Sequence, residues 1–574
     1  MKSSFFYFFI FFIICISCKE PSSKKVLEAV ISKYEQKQNY DFDKTVSVEN
    51  TIKFYQLEAD FAKELIKEIK AIKEEELSET DKISKELLLF SLQDKIDQFK
   101  YKMFLNPITN EVAFHLNLAN MGTTVFKNSD DIQNYFIKLE NLNKSIDYNI
   151  NLLRAGVKAK VSQPKAVFSN YKYTYDTHIV DDVTKSAFFK PFLKLPKSIS
   201  ENERMAILKK AKKSVQKNVV EKYQQIKDFF EQEYFKNTRE AIGVDKTPNG
   251  AQFYQNRINF YTTSNQYTAD DIHKIGLQEV ARIKLEMQKI IDSLHFKGSF
   301  ADFITFLRTD QQFYPKTAKE LLRFARDISK RIDAELPKYF KTLPRKPYGV
   351  VPVPAAIAPN YTGGRYSGTK NPLKAGFYWV NTYNLPSRTL YTIPALTAHE
   401  AVPGHHLQIS LNNELSPEKI PAFRRNLYLS AFGEGWGLYA ETLAEEMGIY
   451  TTPYELFGKY TYEMWRACRL VVDTGIHAKG WSRQQVIDYM AANTALSLHE
   501  VTTETDRYIS WPGQAISYKI GEIKIRELRA KAEKILKDKF SIRDFHEVIL
   551  SEGTVTLAIM ESRVNNYIDE KLHE

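Results

Sequence analysis

His399-Glu400-Ala401-Val402-Pro403-Gly404-His405-His406 places three imidazoles and one carboxylate within eight residues. That composition suits a hydrolytic metal site, because zinc takes neutral imidazole nitrogen and carboxylate oxygen, and a glutamate beside the first histidine can act as a base. The familiar arrangement, H-E-x-x-H, sets two histidines four apart on one helical face. Here Pro403 interrupts the spacing. On an unbroken helix His405 would lie roughly 9 Å along the axis from His399 and about 120° around it. His406 would return to within about 20° of the right face but sit roughly 10.5 Å away, a long span for two bonds of about 2.1 Å. The Pro403 ring clashes with the carbonyl of His399, and Gly404 reaches backbone angles closed to other residues. The pair is therefore expected to form a bulge that loops out the extra residues and carries His405 into the ligand position, with His406 as second choice.

A second segment converges on the first. Phe432-Gly433-Glu434-Gly435-Trp436-Gly437-Leu438-Tyr439-Ala440-Glu441 sets two glutamates seven apart, on one face of a helix, and its glycines let a neighbouring helix approach closely. Between the segments, residues 412 to 421 are rich in Asn, Glu, Ser and Pro and read as the turn of an antiparallel helix pair. The expected site has two histidines from the first helix and Glu434 from the second. Taken alone, Glu434 reads first as a carboxylate favoured by a helix N-terminus.

The 574 residues leave room for two to four domains by length. The formal charge of +11 arises from 81 Lys and Arg against 70 Asp and Glu, and the lysines are spread along helical segments such as 209 to 222. This is a solvated surface; no basic stripe interleaved with stacking aromatics and no nucleic-acid module is present, so nucleic acid is not an expected partner. After Lys2, an apolar run from Phe5 to Ile16 is too short for a membrane span of about 20 residues and ends in Ile16-Ser17-Cys18. It resembles a bacterial lipoprotein signal, with Cys15 where such signals more often carry Leu. The expected organisation is a signal peptide over 1–17, lipid on Cys18, a tether over 18–25, and an exported protein anchored in the cell envelope, periplasm or outer membrane. A plain signal peptide with an incidental cysteine is the alternative. Only Cys468 would then stay free, so no disulfide framework is available.

From Val26 to Gly243 the pattern is mostly helical, and no repeat of 20 to 50 residues marks a solenoid. Within 270–291, Gly276, Val280, Ile283, Met287 and Ile290 alternate at spacings of four and three, predicting an amphipathic helix with Thr268 as its cap. Between 344 and 394 Pro, Gly and Tyr accumulate, and Tyr348–Val353 and Gly376–Asn381 read as short strands. A strand edge here could pair with a substrate backbone. Beyond Glu441 helices are predicted over 454–478, 482–500, 513–537 and 555–571.

Four motifs in order, His399-Glu400-x-x-Pro403-Gly404-His405, Glu434-Gly435-Trp436, Asp473-Thr474-Gly475-x-His477 and Pro512-Gly513-Gln514-Ala515-x-Ser517-Tyr518-Lys519-x-Gly521, resemble the bacterial family catalogued as domain of unknown function 885. The resemblance runs from about Val26 to near the C-terminus. That family is similar in turn to the helical two-lobed zinc peptidases of the angiotensin-converting-enzyme and thimet-oligopeptidase kind. The resemblance implies His399, His405 and Glu434 as zinc ligands and Glu400 as general base. It further implies Tyr518 as the phenol facing the developing oxyanion and His477 as a second donor there. Arg507 and Tyr508, just before Trp511-Pro512, are candidates to anchor a peptide carboxylate.

The expected fold is mainly α: a two-lobed helical zincin-like metallopeptidase with a deep channel. Its lobes would cover approximately 26–267 and 268–574, with a small strand insert over 345–392. The expected function is zinc-dependent hydrolysis of peptide substrates, the Zn2+ activating water and Glu400 moving its proton. Two rival readings stay open: a catalytically inert surface lipoprotein that binds peptide or glycan, and a zinc hydrolase acting on a different amide or an ester. Oligomeric state is not legible from the chain.

Overall fold

The apolar stripe that follows Thr268 folds as helix α1 (Ala269–Ser293), with the Thr268 side chain and Asp271 completing a reciprocal cap at its start. The stripe faces inward, and Gly276 lets α1 lie against α6 (Pro453–Ala478): a Cβ there would stand 2.7 Å from the Cβ of Leu470. The computed structural model describes residues 22–38, 47–116, 118–169, 171–355, 357–358 and 361–574. Cys18, the apolar run before it and the start of the tether lie outside the described residues.

The chain is mainly helical with one small sheet. Among the N-terminal helices, Val48–Lys70 pairs with Glu79–Lys100, and Ser129–Lys158 follows. After α1 comes α2 (Ala318–Tyr339), then strands β1 (Tyr348–Pro352), β2 (Gly364–Ser367) and β3 (Gly376–Val380). The strands stand in the order β1-β3-β2, β1 parallel and β2 antiparallel to β3, with Tyr366 opposite Tyr378. Sequence patterning finds β1 and β3 but not β2, whose four residues are too few to show alternation. The site elements follow: α3 (Ile393–Glu400), α4 (His405–Asn413), α5 (Ser430–Glu446), α6, α7 (Leu498–Ser510) and α8 (Ser517–Leu536).

The single helix expected over 482–500 is two, Arg483–Asn493 and α7. Arg308, from helix Phe300–Thr309, donates to the carbonyls of Ala491, Thr494 and Leu496 and so satisfies the groups exposed at the break. Two large apolar clusters make the core, one holding Leu139, Tyr223, Phe303 and Val471, the other Leu87, Ile328, Trp436 and Ile525. Each draws on residues before and after position 268. Among the described residues no helix is long and apolar enough to cross a membrane.

Candidate metal centre

The helix carrying His399 stops at Glu400, earlier than a bulge within a continuous helix would have it. Residues 401–404 form a turn that includes a cis Val402-Pro403 peptide, and α4 restarts at His405. The Gly404 amide donates to the Ala398 carbonyl and the His406 amide to that of Ala401, so the break leaves few backbone groups unpaired. Gly404 is the close approach that makes this possible: a Cβ on it would stand 2.0 Å from the His399 carbonyl oxygen. The Trp436 indole, reaching across from α5, donates to the Pro403 carbonyl and pins the turn.

This break brings the His405 ring to 4.7 Å from that of His399, nearly perpendicular to it. Helix α5 passes beneath. Gly437 faces the His399 ring, where a Cβ would lie 2.7 Å from Cε1 and Nε2, and Gly435 meets Gly521 of α8 backbone to backbone. Glu434 then reaches both histidines: its Oε2 lies 3.5 Å from His399 Nε2 and 3.3 Å from His405 Nε2. One ligand atom from each of the three residues lies within 4.8 Å of the other two. His406 goes elsewhere. Its Nδ1 sits 3.0 Å from the Tyr366 hydroxyl, its ring packs on Tyr348, and burial pulls it down to about 4.

The donor set fits a tetrahedral cation. Corners of a tetrahedron at zinc's usual bond lengths stand ~3.4 Å apart, close to both measured separations. His399 Nδ1 lies 2.7 Å from Glu441 Oε1, and since a carboxylate only accepts, that nitrogen carries the hydrogen. In the neutral ring the Nε2 lone pair therefore points at the Glu434 carboxylate, a repulsive contact that a positive charge between them reverses. A proton can play the same part: burial alone would depress His399, but hydrogen bonds to Glu434 and Glu441 raise it to about 10. Burial alone would raise Glu434, and the two imidazoles hold it well below the usual carboxylate range. The buried His405 Nδ1 has no partner among the described residues.

Glu400 is buried next to this cluster, and its Oε2 accepts the Tyr366 amide at 2.8 Å, from the side of edge strand β2 turned away from β3. Tyr428 went unnoticed in the sequence. Its hydroxyl donates to Glu434 Oε1 at 2.8 Å, its ring lies over Gly433, and both Glu400 and Tyr518 are within electrostatic range of it. Tyr518, at the start of α8, lies with its ring 4.3 Å from the Arg469 guanidinium and its hydroxyl 3.5 Å from Arg507 Nη2.

Two expected site residues have their polar atoms engaged within the protein. His477, read as a second oxyanion donor, has no free nitrogen: Nδ1 accepts the Val244 amide at 3.2 Å and Nε2 lies 3.0 Å from the Tyr508 carbonyl. Burial lowers its pKa to about 3. Its motif is a clasp, in which Asp473 accepts the Gly513 amide and the Tyr254 hydroxyl, while Gly475 makes room for the Trp481 ring. Tyr508, read as a substrate contact, is buried with its hydroxyl occupied by Trp465 Nε1 and Arg469 Nε.

A sequence model of a bacterial protein family of unknown function, DUF885, matches residues 44–564. The chain is similar to the crystal structure of a candidate lipoprotein from Colwellia psychrerythraea, with 26% identity, a TM-score of 0.84, and 96% of this chain and 100% of that one covered. A candidate lipoprotein of unknown function from Shewanella oneidensis shares the fold at 18% identity and a TM-score of 0.70, over 95% of this chain and 99% of its own. No curated protein shows significant similarity.

Proposed function

The chain belongs to the bacterial family of unknown function DUF885, and within it we propose a zinc-dependent peptide hydrolase, exported as a lipoprotein of the cell envelope and anchored through Cys18. The observation that carries the reading is the convergence of His399, His405 and Glu434 next to Glu400, two histidines and two glutamates brought together by three segments. Kinship with candidate lipoproteins supports the anchor.

His399, His405 and Glu434 would hold the metal. Zinc there supplies Lewis acidity and a nucleophile from water near neutral pH. The protein's own groups do the rest. Glu400, kept in place by the Tyr366 amide, takes a proton from the attacking water and returns it to the leaving amine. Glu441 fixes the His399 tautomer and ring orientation. Tyr518 offers a phenol hydroxyl beside the cluster for charge developing on the carbonyl oxygen, while Tyr428 spends its own on Glu434. The outer edge of β2, whose Tyr366 amide is taken by Glu400, offers its remaining backbone groups to an extended substrate. An inert binding protein would have no use for a proton-transferring Glu400, which favours hydrolysis over the binding alternative.

The test is metal analysis of the purified chain followed by digestion of a peptide library read by mass spectrometry. Stoichiometric zinc and cleavage that a chelator stops are expected; a metal-free protein that leaves every peptide intact would overturn the reading. Cleavage of esters or non-peptide amides alone would favour the third alternative.

A further inference from the structure

Beside Tyr518, three arginines come together from two helices. Arg466 and Arg469 lie one turn apart on α6, both with their guanidinium groups 4.4 Å from the centre of the Trp465 ring. Arg507 projects from α7 toward the same place and shares Glu504 with Arg469. Arg466 and Arg469 are buried, at 4% and 1% exposure. Four carboxylates face them: Glu504, Glu441, Glu500 and Glu111, the last held above the usual carboxylate range by burial. Glu504 serves two of the three, and Glu441, which lies 3.4 Å from Arg466 Nη2, is already committed to His399. Glu500, on the same face of α7 as Glu504 and Arg507, faces Arg388, Arg466 and Arg469, but burial and the nearness of Glu504 push its carboxyl up to about 7.

Three buried guanidinium nitrogens are left without an acceptor among the described residues: Arg466 Nε, Arg469 Nη1 and Arg507 Nε. A buried N–H without a partner is costly, and three in one cluster mark a place made for an acceptor. Each arginine has one open nitrogen, its others being engaged by Tyr462 and Glu441, by Tyr508 and Glu504, and by Glu504 and Gln514, so a carboxylate would take separate donors from the three. The cluster also adjoins the metal site by two routes, through Glu441 to His399 and through Tyr518 and Tyr428 to Glu434. A group bound there is a short stretch of peptide from the scissile bond.

We propose that Arg466, Arg469 and Arg507 bind the free C-terminal carboxylate of a peptide, so that the protein removes a short piece from the C-terminal end of its substrate. This rests on the hydrolase reading for the bond that is cut, but the anion site itself does not. Glu504 holds Arg469 and Arg507 in position.

The probe is an N-acetylated random tetrapeptide library made in two forms, ending in a free carboxylate or a carboxamide. Binding is read by affinity selection on the zinc-loaded Glu400→Gln chain, which separates binding from turnover. Free acids are expected to be retained about tenfold more strongly than amides, and Arg507→Gln to abolish the difference. Arg507→Lys, which keeps the charge with less disturbance of the fold, should retain part of it. Equal retention of acids and amides overturns the proposal, as does a preference unchanged in both Arg507→Gln and Arg469→Gln. Retention of amides that carry an internal Asp or Glu as strongly as free acids also overturns it, since the site would then read side chains. Wild-type protein that selects free acids yet cuts nothing leaves the anion site standing and removes the hydrolase reading. Cutting at interior bonds of amidated peptides does the reverse.

Discussion

His399 and Glu441 meet at 2.7 Å between Nδ1 and Oε1, so a carboxylate one full heptad beyond Glu434 holds the opposite side of the same imidazole. Glu434 is the ligand candidate and Glu441 sets the direction in which the ring presents its other nitrogen. Glu441→Gln keeps an acceptor but removes the charge, and should weaken zinc affinity by about tenfold, the lower end of what such orienting groups contribute. Competition against a chelator of known affinity reads the change; unaltered affinity would mean the ring is oriented by packing alone.

Glu400→Gln is expected to retain its zinc and lose hydrolysis by about 100-fold or more, the range for a positioned acid-base group. Metal content and turnover are measured on the same preparation. Peptidase activity left intact in this variant removes Glu400 from the chemistry.

His405 and His406 separate cleanly. Their rings diverge at the restart of α4, one toward Glu434 and the other toward Tyr366 and Tyr348. His405→Ala should lose zinc, and with it the thermal stabilisation that zinc gives the native chain, about 2.7 kcal/mol at a hundredfold excess over Kd. His406→Ala should keep the metal and lose stability through packing. The reverse pattern would reassign the ligand.

At position 437 two effects oppose one another. Gly437→Ala gains up to about 1 kcal/mol of helix propensity, but its Cβ would sit 2.7 Å from two atoms of the His399 ring. Overpacking of that kind costs about 1–3 kcal/mol and is relieved most easily by turning the ring. The expected variant is folded, with an unfolding midpoint near that of the parent, and binds zinc poorly. Full metal occupancy would show that the α3–α5 spacing is softer than the close packing implies.

Burial raises Asp473 to about 7, against the opposing pull of the Tyr254 hydroxyl and the Gly513 amide. A carboxyl whose folded pKa lies above its unfolded value near 3.8 stabilises fully below that value, and the contribution is lost as pH rises through about 7. Asp473→Asn should therefore remove a stability loss on the order of a few kcal/mol between pH 4 and 7. Denaturant midpoints of both proteins at pH 4.5 and 7.5 give the difference; parallel slopes would mean that Asp473 is ionised throughout.

Legibility followed the range of the interaction. The stripe of α1, the Thr268 cap and the seven-residue spacing of Glu434 and Glu441 are consequences of one helix period, and they appear in the structure where the spacing puts them. Strand β2 is four residues long and owes its existence to pairing with β3, which no local pattern announces. The gap between Asn493 and Leu498 is capped by Arg308, some 185 residues earlier in the chain. Tyr428 sits in a connecting segment with no periodicity, so nothing marked its hydroxyl for Glu434. His477 is a site candidate only through the family resemblance; the partners of its motif lie on four separate segments, and only folding reveals that each polar group is spent on holding another in place.

By itself the chain determined which side chains a cation would be offered and which faces of their helices carry them, because residue chemistry and the 3.6-residue period are local properties. Tertiary structure decided the rest: that the helix stops at Glu400, that His405 and not His406 turns toward Glu434, and that three arginines each keep one open nitrogen. These outcomes depend on backbones meeting at Gly404 and Gly435, on the His399 ring lying against Gly437, and on charges drawn from distant segments. Close packing is settled by the sum of contacts over the whole molecule, and no single stretch of sequence contains that sum.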